Sequence, residues 1–189
     1  MASSPPPTLL VIDVQQGLDH PKWGARNNPE AERRIAELLA AWRAARWPVI
    51  HVQHMSVNPE SPLRPELPGN AFKPEAQPHE GEPVFRKTVN SAFIGTGLEE
   101  HLRRAGQDRL VMVGLTTDHC VSSSARMAAN LGFDVTLVED AMAANERTGP
   151  DGAHFTAEQM HAAALASLHG EFAHVTTTAR LLATLRGDH

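Results

Sequence analysis

Short runs of apolar residues alternate with segments of helical periodicity along most of the chain. Runs that are apolar at every position are typical of parallel strands, because both faces of such a sheet are covered. The segments between the runs carry apolar residues on one side only, as amphipathic helices do. Strands are predicted on this basis at residues 8–12, 48–52, 110–113, 133–138 and 172–175.

The helical segments have recognisable starts and ends. Residues 29–46 carry an apolar stripe, and Asn28 is placed to cap the first turn of this helix. Thr156 and Gln159 have the spacing of a capping box at the start of another helix. Further helices are predicted at residues 98–105, 121–132, 156–168 and 178–185.

Strands that alternate with helices predict a three-layer α/β/α, Rossmann-like single domain with a parallel sheet. Residues 82–86 are a weaker strand because Pro83 lies within them, and a helix is expected to start near Ile94. Residues 55–81 contain six prolines and little periodicity. We interpret them as a loop over the functional site and call them the cover loop. The domain would span residues 8–189, after a disordered tail at residues 1–7.

Composition and charge exclude several classes of protein. A net charge of −5 gives no sign of the positive charge with which proteins bind nucleic acid or an anionic membrane. No stretch approaches the roughly 18 apolar residues of a membrane span, and residues 1–7 lack the basic and apolar parts of a secretory signal. A single cysteine excludes an internal disulfide, so a reducing, cytoplasmic setting is expected.

That cysteine, Cys120, follows the strand at 110–113 and lies in the predicted first turn of the next helix. The unpaired N–H groups and positive dipole of a helix start favour a thiolate, although a lone cysteine is often only a small buried hydrophobe. Asp13 ends the first strand and Lys87 follows residues 82–86, so both reach the same sheet edge. An acid, a cation and a thiol thus converge, provided that the long lysine stem or a bend after Arg86 closes the distance to the first strand.

Three segments resemble the signature of the isochorismatase-like cysteine hydrolases, which include nicotinamidases and N-carbamoylsarcosine amidohydrolases. They are Leu10-Val11-Ile12-Asp13-Val14-Gln15, Lys87, and Gly114-Leu115-Thr116-Thr117-Asp118-His119-Cys120. The resemblance implies a six-stranded parallel sheet and an Asp13-Lys87-Cys120 catalytic triad. It also implies a cis peptide between Leu115 and Thr116, an oxyanion hole formed by the Thr116 and Cys120 amides, and a homodimer or homotetramer.

The function expected from this resemblance is hydrolysis of a C–N bond in a small amide or carbamoyl compound, through a thioester and without a cofactor. A cysteine suits this two-step path, whereas family members that cleave vinyl ethers do without one. Two alternatives stay open. The substrate is a larger amide or lactam, as for antibiotic-inactivating members, or the chain is a catalytically idle, oligomeric ligand-binding protein.

No metal site is expected. Nicotinamidases hold a metal with an Asp-x-His pattern after the second strand, but this region reads His51-Val52-Gln53-His54 without an aspartate. In a regular strand His51 and His54 point to opposite faces, so they cannot bind one ion together. His54 either lines the pocket or is simply a hydrogen-bonded histidine.

Contacts to a small-molecule substrate are expected from loops near the triad. The chain has no tyrosine, so aromatic recognition falls to tryptophan and phenylalanine. The candidate substrate-binding residues are Leu18, Trp23, Asn90, Phe93 and Thr117.

Overall fold

A six-stranded, wholly parallel sheet forms the centre of the computed structural model, which describes residues 5–186. The strands follow the order β3-β2-β1-β4-β5-β8, and β6 and β7 form a separate antiparallel hairpin. Their bounds are β1 (Thr8–Ile12), β2 (Val49–His54), β3 (Val84–Lys87), β4 (Arg109–Leu115), β5 (Asp134–Ala143), β6 (Arg147–Thr148), β7 (His154–Phe155) and β8 (His174–Thr176).

Helices cover both faces of this sheet. They are α1 (Ala31–Ala45), α2 (Leu98–Arg104), α3 (Ser122–Asn130), α4 (Ala157–Leu168) and α5 (Thr178–Arg186). Successive residues of a strand point to opposite faces. Leu9 and Val11 of β1 therefore pack with α1 and α5, while Leu10 and Ile12 pack with α2, α3 and α4. The predicted three-layer α/β/α architecture is confirmed.

Several local predictions need correction. Asn28 does not cap α1: it has a φ of 45°, and its side-chain amide donates to the carbonyl oxygens of Glu139 and Met142 at 3.0 and 2.7 Å. No helix starts near Ile94, which lies in a bend before α2. The strand β5 continues past the predicted end at residue 138, and the hairpin of β6 and β7 was not predicted because two-residue strands show no periodicity.

The chain ends and the helix lengths complete this description. Of the expected disordered tail, residues 1–4 lie outside the described residues, as do residues 187–189 at the other end. Pro7 is held in place, because the indole Nε1 of Trp42 donates to its carbonyl oxygen at 2.9 Å.

Within residues 5–186, every helix is too short or too polar to cross a membrane.

A glycine allows the ends of β1 and β4 to approach closely. Gly114 pairs in register with Ile12, and a Cβ atom at position 114 would lie only 2.0 Å from the Ile12 carbonyl oxygen. Its φ of +128° is also one that side chains disfavour. Because glycine tolerates both, the chain segments that leave β1 and β4 emerge side by side at one edge of the sheet.

Candidate active site

The structure brings Asp13, Lys87 and Cys120 together at this edge. The Lys87 Nζ lies 2.5 Å from Asp13 Oδ2 and 3.3 Å from Cys120 Sγ. Asp13 follows β1 in a left-handed conformation with a φ of 53°. Cys120 lies in a π-helical turn, Thr117–Val121, that leads directly into α3. Three distant segments thus deliver an acid, a cation and a thiol to one point.

Lys87 reaches Asp13 across an intervening strand. It is the last residue of β3, and β2 separates β3 from β1. Because Lys87 still pairs in register with His54 of β2, the strand itself does not leave the sheet. The lysine stem covers the distance, and its side chain is fully buried.

His54 contacts the same ammonium group. Its Nδ1 lies 3.0 Å from Lys87 Nζ. An ammonium has only donors, so Nδ1 must be the acceptor, and the neutral ring carries its proton on Nε2. Burial lowers the pKa of His54, and the neighbouring positive charge of Lys87 lowers it further. His54 also lines the cavity beside the triad, so it fills both of the roles expected as alternatives.

The electrostatics of the cysteine differ from the sequence expectation. Burial raises the pKa of the Cys120 thiol, and the nearby negative charge of Asp13 raises it further. Desolvation and the carboxylate therefore act against the thiolate that a helix start favours.

Asp13 is suited to accept the thiol proton of Cys120. Burial raises the pKa of its carboxyl group, and the charge of Lys87 acts against this shift. Its Oδ1 is buried and, among residues 5–186, has no hydrogen-bond partner. One carboxylate oxygen is thus fixed by Lys87, and the other is available to a proton from the neighbouring sulfur.

The backbone around Thr116 has the form that the resemblance implies. The peptide bond between Leu115 and Thr116 is cis. Thr116 and Cys120 both line the cavity above the triad. Both residues therefore border the space that a substrate would occupy.

That cavity has a volume of about 340 Å³. Leu18, Trp23 and Asn90, three of the predicted substrate-binding residues, line it. The indole Nε1 of Trp23 donates to the Gly17 carbonyl oxygen at 2.8 Å, which fixes the ring on the cavity wall. The cover loop adds a second wall, formed by Ser56, Val57, Asn58, Ser61 and Leu63.

Two predicted substrate contacts have to be withdrawn. Phe93 packs into the apolar core, with its ring centroid 5.8 Å from that of Phe133. Thr117 is completely buried, and its hydroxyl is 2.8 Å from Nδ1 of His161. Neither residue lines the cavity: Phe93 is partly buried against the core, and Thr117 is buried beside His161.

Sequence reasoning missed other residues of the cavity wall, chiefly Lys22, Asn145 and Arg147, and it left open the direction of His119, which also lines the cavity. Asn145 and Arg147 come just after β5, at the strand edge where ligands bind in parallel sheets. A correct end for β5 would have pointed to them. The strand was predicted to stop at residue 138, which placed these positions far along a loop.

Three buried amide side chains attach the cover loop to the sheet. The Asn70 side chain donates to the carbonyl oxygens of His54 at 2.9 Å and Leu63 at 2.7 Å. The backbone carbonyl of Asn70 accepts from Gln15 at 2.8 Å and from Gln53 at 3.0 Å. The same Gln15 accepts from the backbone N–H of His54 at 2.8 Å. The network therefore fixes both the loop and the end of β2.

One group of side chains within residues 5–186 has donor atoms close enough to hold a metal ion. It consists of Asp13, His54 and Cys120, whose ligand atoms lie within 4.8 Å of one another. The Lys87 ammonium, however, contacts an atom of all three. An ion at this point would have to displace the ammonium. His51 does not participate, because it is buried elsewhere against Glu82, at 2.8 Å.

Known proteins with similar sequences and structures agree with this geometry. The sequence model of the isochorismatase domain family matches residues 7–180 of this chain. The isochorismatase family protein YrdC of Bacillus subtilis is 44% identical over 174 residues, which cover 92% of this chain and 93% of YrdC. The chain belongs to the isochorismatase family. A crystal structure of an isochorismatase-family protein from Chromobacterium violaceum superposes on this family member with a TM-score of 0.94. The two share 48% sequence identity, over 99% of this chain and 96% of the other.

Two more distant relatives of this isochorismatase-family protein have named activities. A streptothricin hydrolase of Streptomyces noursei is 38% identical over 138 residues, covering 71% of this chain and 49% of the relative. The ureidoacrylate amidohydrolase RutB of Agrobacterium fabrum is 37% identical over 97 residues, covering 47% of this chain and 41% of RutB. The family thus comprises hydrolases, some of which are amidohydrolases.

Proposed function

We propose that this protein is a cysteine hydrolase that cleaves a C–N bond in a small amide or carbamoyl compound. Asp13, Lys87 and Cys120 are its catalytic triad, and the reaction needs no cofactor. The main support is that the Lys87 ammonium lies within hydrogen-bonding distance of both Asp13 and Cys120, two residues that line a cavity. The named amidohydrolase among the relatives supports the choice of bond.

The first half of the reaction forms a thioester. Asp13 takes the proton of the Cys120 thiol as the sulfur attacks the carbonyl carbon of the substrate. The backbone N–H groups of Thr116 and Cys120 stabilise the negative charge that develops on the carbonyl oxygen. Asp13 then gives its proton to the leaving nitrogen, the C–N bond breaks, and the amine departs.

The second half releases the acid. Asp13, again a carboxylate, takes a proton from water as the water oxygen attacks the thioester carbon. The C–S bond breaks, and the sulfur recovers its proton from Asp13. Lys87 holds the carboxylate in place throughout, and its positive charge limits the cost of two negative centres in one buried site. The protein ends each cycle with the thiol protonated, as in the resting state.

The cavity favours a small substrate over a large one. Its volume of about 340 Å³ lies near the lower end of the range for small-molecule sites. The streptothricin hydrolase among the relatives keeps a larger amide or lactam as the second candidate. These candidates differ in the size of the acyl group that becomes attached to Cys120.

Replacement of Cys120 tests the proposal. The wild-type protein and the Cys120→Ala variant are assayed for ammonia or amine release from a panel of small amides, ureas and lactams. We expect the variant to lose activity by about 1,000-fold or more, with an unchanged melting temperature. Substantial residual turnover in this variant would refute the triad. A wild-type protein that turns over nothing and forms no acyl adduct would favour the idle, ligand-binding alternative.

A further inference from the structure

The lining of the cavity carries an excess of positive charge. Its charged side chains are Asp13, Lys22 and Arg147, and Asp13 is already paired with the buried Lys87. The whole chain has a net charge of −5, so this local excess is opposite in sign to the protein as a whole. A cleft of one sign within a protein of the other sign concentrates ligands of opposite charge.

Arg147 is held at the cavity by surrounding groups. Its Nε lies 3.6 Å from Asp118 Oδ2, one terminal nitrogen donates to the Glu146 carbonyl oxygen at 3.2 Å, and the other is 3.5 Å from His119 Nδ1. A guanidinium has five N–H donors, so these contacts leave some of them unused. Arg147 is also partly exposed. It is thus positioned and still able to bind a ligand.

Asp118 pairs with the guanidinium from outside the cavity lining. The Asp118 side chain is only 7% exposed, and it does not line the cavity, whereas Arg147 does. Both Asp118 carboxylate oxygens are buried and, in the described part of the chain, make no direct hydrogen bond. The cavity lining therefore includes the guanidinium but not the carboxylate that it pairs with.

Lys22 lies on another part of the same wall. Its Nζ donates to the Glu60 carbonyl oxygen at 2.6 Å and lies 5.1 Å from the centre of the Trp23 ring. Within residues 5–186, Lys22 contacts only these neutral groups and forms no ion pair. Apolar surface from Leu18 and Trp23 adjoins it. The wall therefore combines a cationic edge with an apolar face.

We propose that the substrate carries a carboxylate, which binds Arg147 while its scissile carbonyl lies at Cys120. Planar guanidinium groups favour this anion because they bind both of its oxygens at once. Lys22 adds to the attraction at longer range. This inference rests on the proposed function and makes Arg147 a specificity-determining residue, outside the chemistry itself.

Alkylation of the single cysteine gives a direct test, because iodoacetate and iodoacetamide differ only in carrying a carboxylate or a neutral amide. Each forms an S–C bond at Cys120 with loss of iodide. The ratio of the iodoacetate rate to the iodoacetamide rate is measured for the protein and divided by the same ratio for free glutathione. We expect a quotient of about ten or more. Arg147→Gln should reduce it to near one by slowing iodoacetate only.

A matched control and a second measurement complete the test. Arg104→Gln removes an exposed arginine of α2 and should leave the quotient unchanged. Binding of succinamate and of the neutral succinamide to Cys120→Ala is compared by calorimetry, which requires no reaction at sulfur. Tighter binding of succinamate by about tenfold, lost in the Arg147→Gln double variant, supports the proposal. Equal binding of succinamate and succinamide, or a normalised alkylation ratio near one in the wild type, overturns the carboxylate proposal. The proposed function would still stand in that case if the protein hydrolyses neutral amides.

Discussion

Lys87 donates a hydrogen bond to Nδ1 of His54, over a distance of 3.0 Å. The two residues are register partners in β3 and β2, so the sheet itself sets their separation. A lysine ammonium on a flexible stem has three donors and no preferred direction. Asp13, His54 and Cys120 supply three acceptors around it. The neutral ring of His54 therefore helps to hold the cation where it can fix Asp13.

Substitution of His54 should reveal this positioning role. His54→Leu removes the acceptor, and we expect kcat to fall about tenfold, since one ammonium donor is left unpaired in a buried site. His54→Asn keeps an acceptor at nearly the same position and should recover most of the loss. The measurement is kcat and KM for both variants. A purely steric role for the ring would show equal losses in the two variants, mainly in KM.

The negative charge of Asp13 should raise the pKa of the Cys120 thiol. Asp13→Asn removes one of the groups that raise the thiol pKa, while Lys87, which lowers it, stays. We therefore expect the thiol to titrate at lower pH in the variant than in the wild type. Turnover should nevertheless fall by at least about 100-fold, because no base remains to carry the proton to the leaving nitrogen.

The ultraviolet absorbance of the thiolate measures this titration. The chain has one cysteine and no tyrosine, so neither another thiol nor a tyrosinate interferes. The Cys120→Ala variant supplies the baseline. An unchanged or higher titration midpoint in Asp13→Asn would contradict the electrostatic picture, and so would a variant that stays fully active.

A buried ion cluster beside the cover loop should make stability depend on pH. Glu32 accepts hydrogen bonds from Arg26 and Lys73, both at 2.6 Å. Burial alone would raise the pKa of Glu32, but these bonds and charges lower it from 4.5 to about 2. A carboxyl whose pKa is depressed by folding stabilises the protein above its unfolded pKa. That stabilisation is lost as the pH falls from about 4.5 towards 2.

Glu32→Gln should accordingly lower the free energy of unfolding at pH 7, by about 3 kcal/mol. The difference from the wild type should shrink steadily below pH 4.5, where the wild-type carboxyl loses its advantage. Urea unfolding across this pH range measures both effects. Glu100→Gln, which removes an exposed partner of Arg104, is the control and should have no measurable effect. A difference that does not change with pH would argue against the ion cluster.

The cover loop should depend on one buried amide. Asn70→Ala removes one donor to the carbonyl oxygen of His54 and one to that of Leu63, which keep the side chain of Gln15 and the backbone N–H of Ser56 as donors. We expect unfolding to become easier by about 2 kcal/mol, and KM to rise more than kcat falls, because the loop forms a cavity wall. Limited proteolysis of residues 55–81 should speed up in the variant. Unaltered protease resistance, together with an unaltered KM, would show that other contacts hold the loop.

Local sequence patterns were sufficient to predict the layers of the fold and the edge at which the site forms. Continuous apolar runs identify buried strands, and an apolar stripe identifies a helix that covers them, because both signals depend only on neighbouring positions. Asp13 follows one such run and Cys120 follows another. Their proximity then required one further rule, that parallel strands end at the same edge of the sheet.

Tertiary structure alone decided the electrostatic state of the site and the composition of its walls. The raised pKa of the Cys120 thiol reflects burial beside Asp13, which no local pattern encodes. Arg147 lies at the cavity because β5 extends beyond its apolar run. Phe93 does not line the cavity, because its ring packs beside that of Phe133. Desolvation and packing depend on residues that are distant in the chain, so these features follow from the folded arrangement and not from the order of residues.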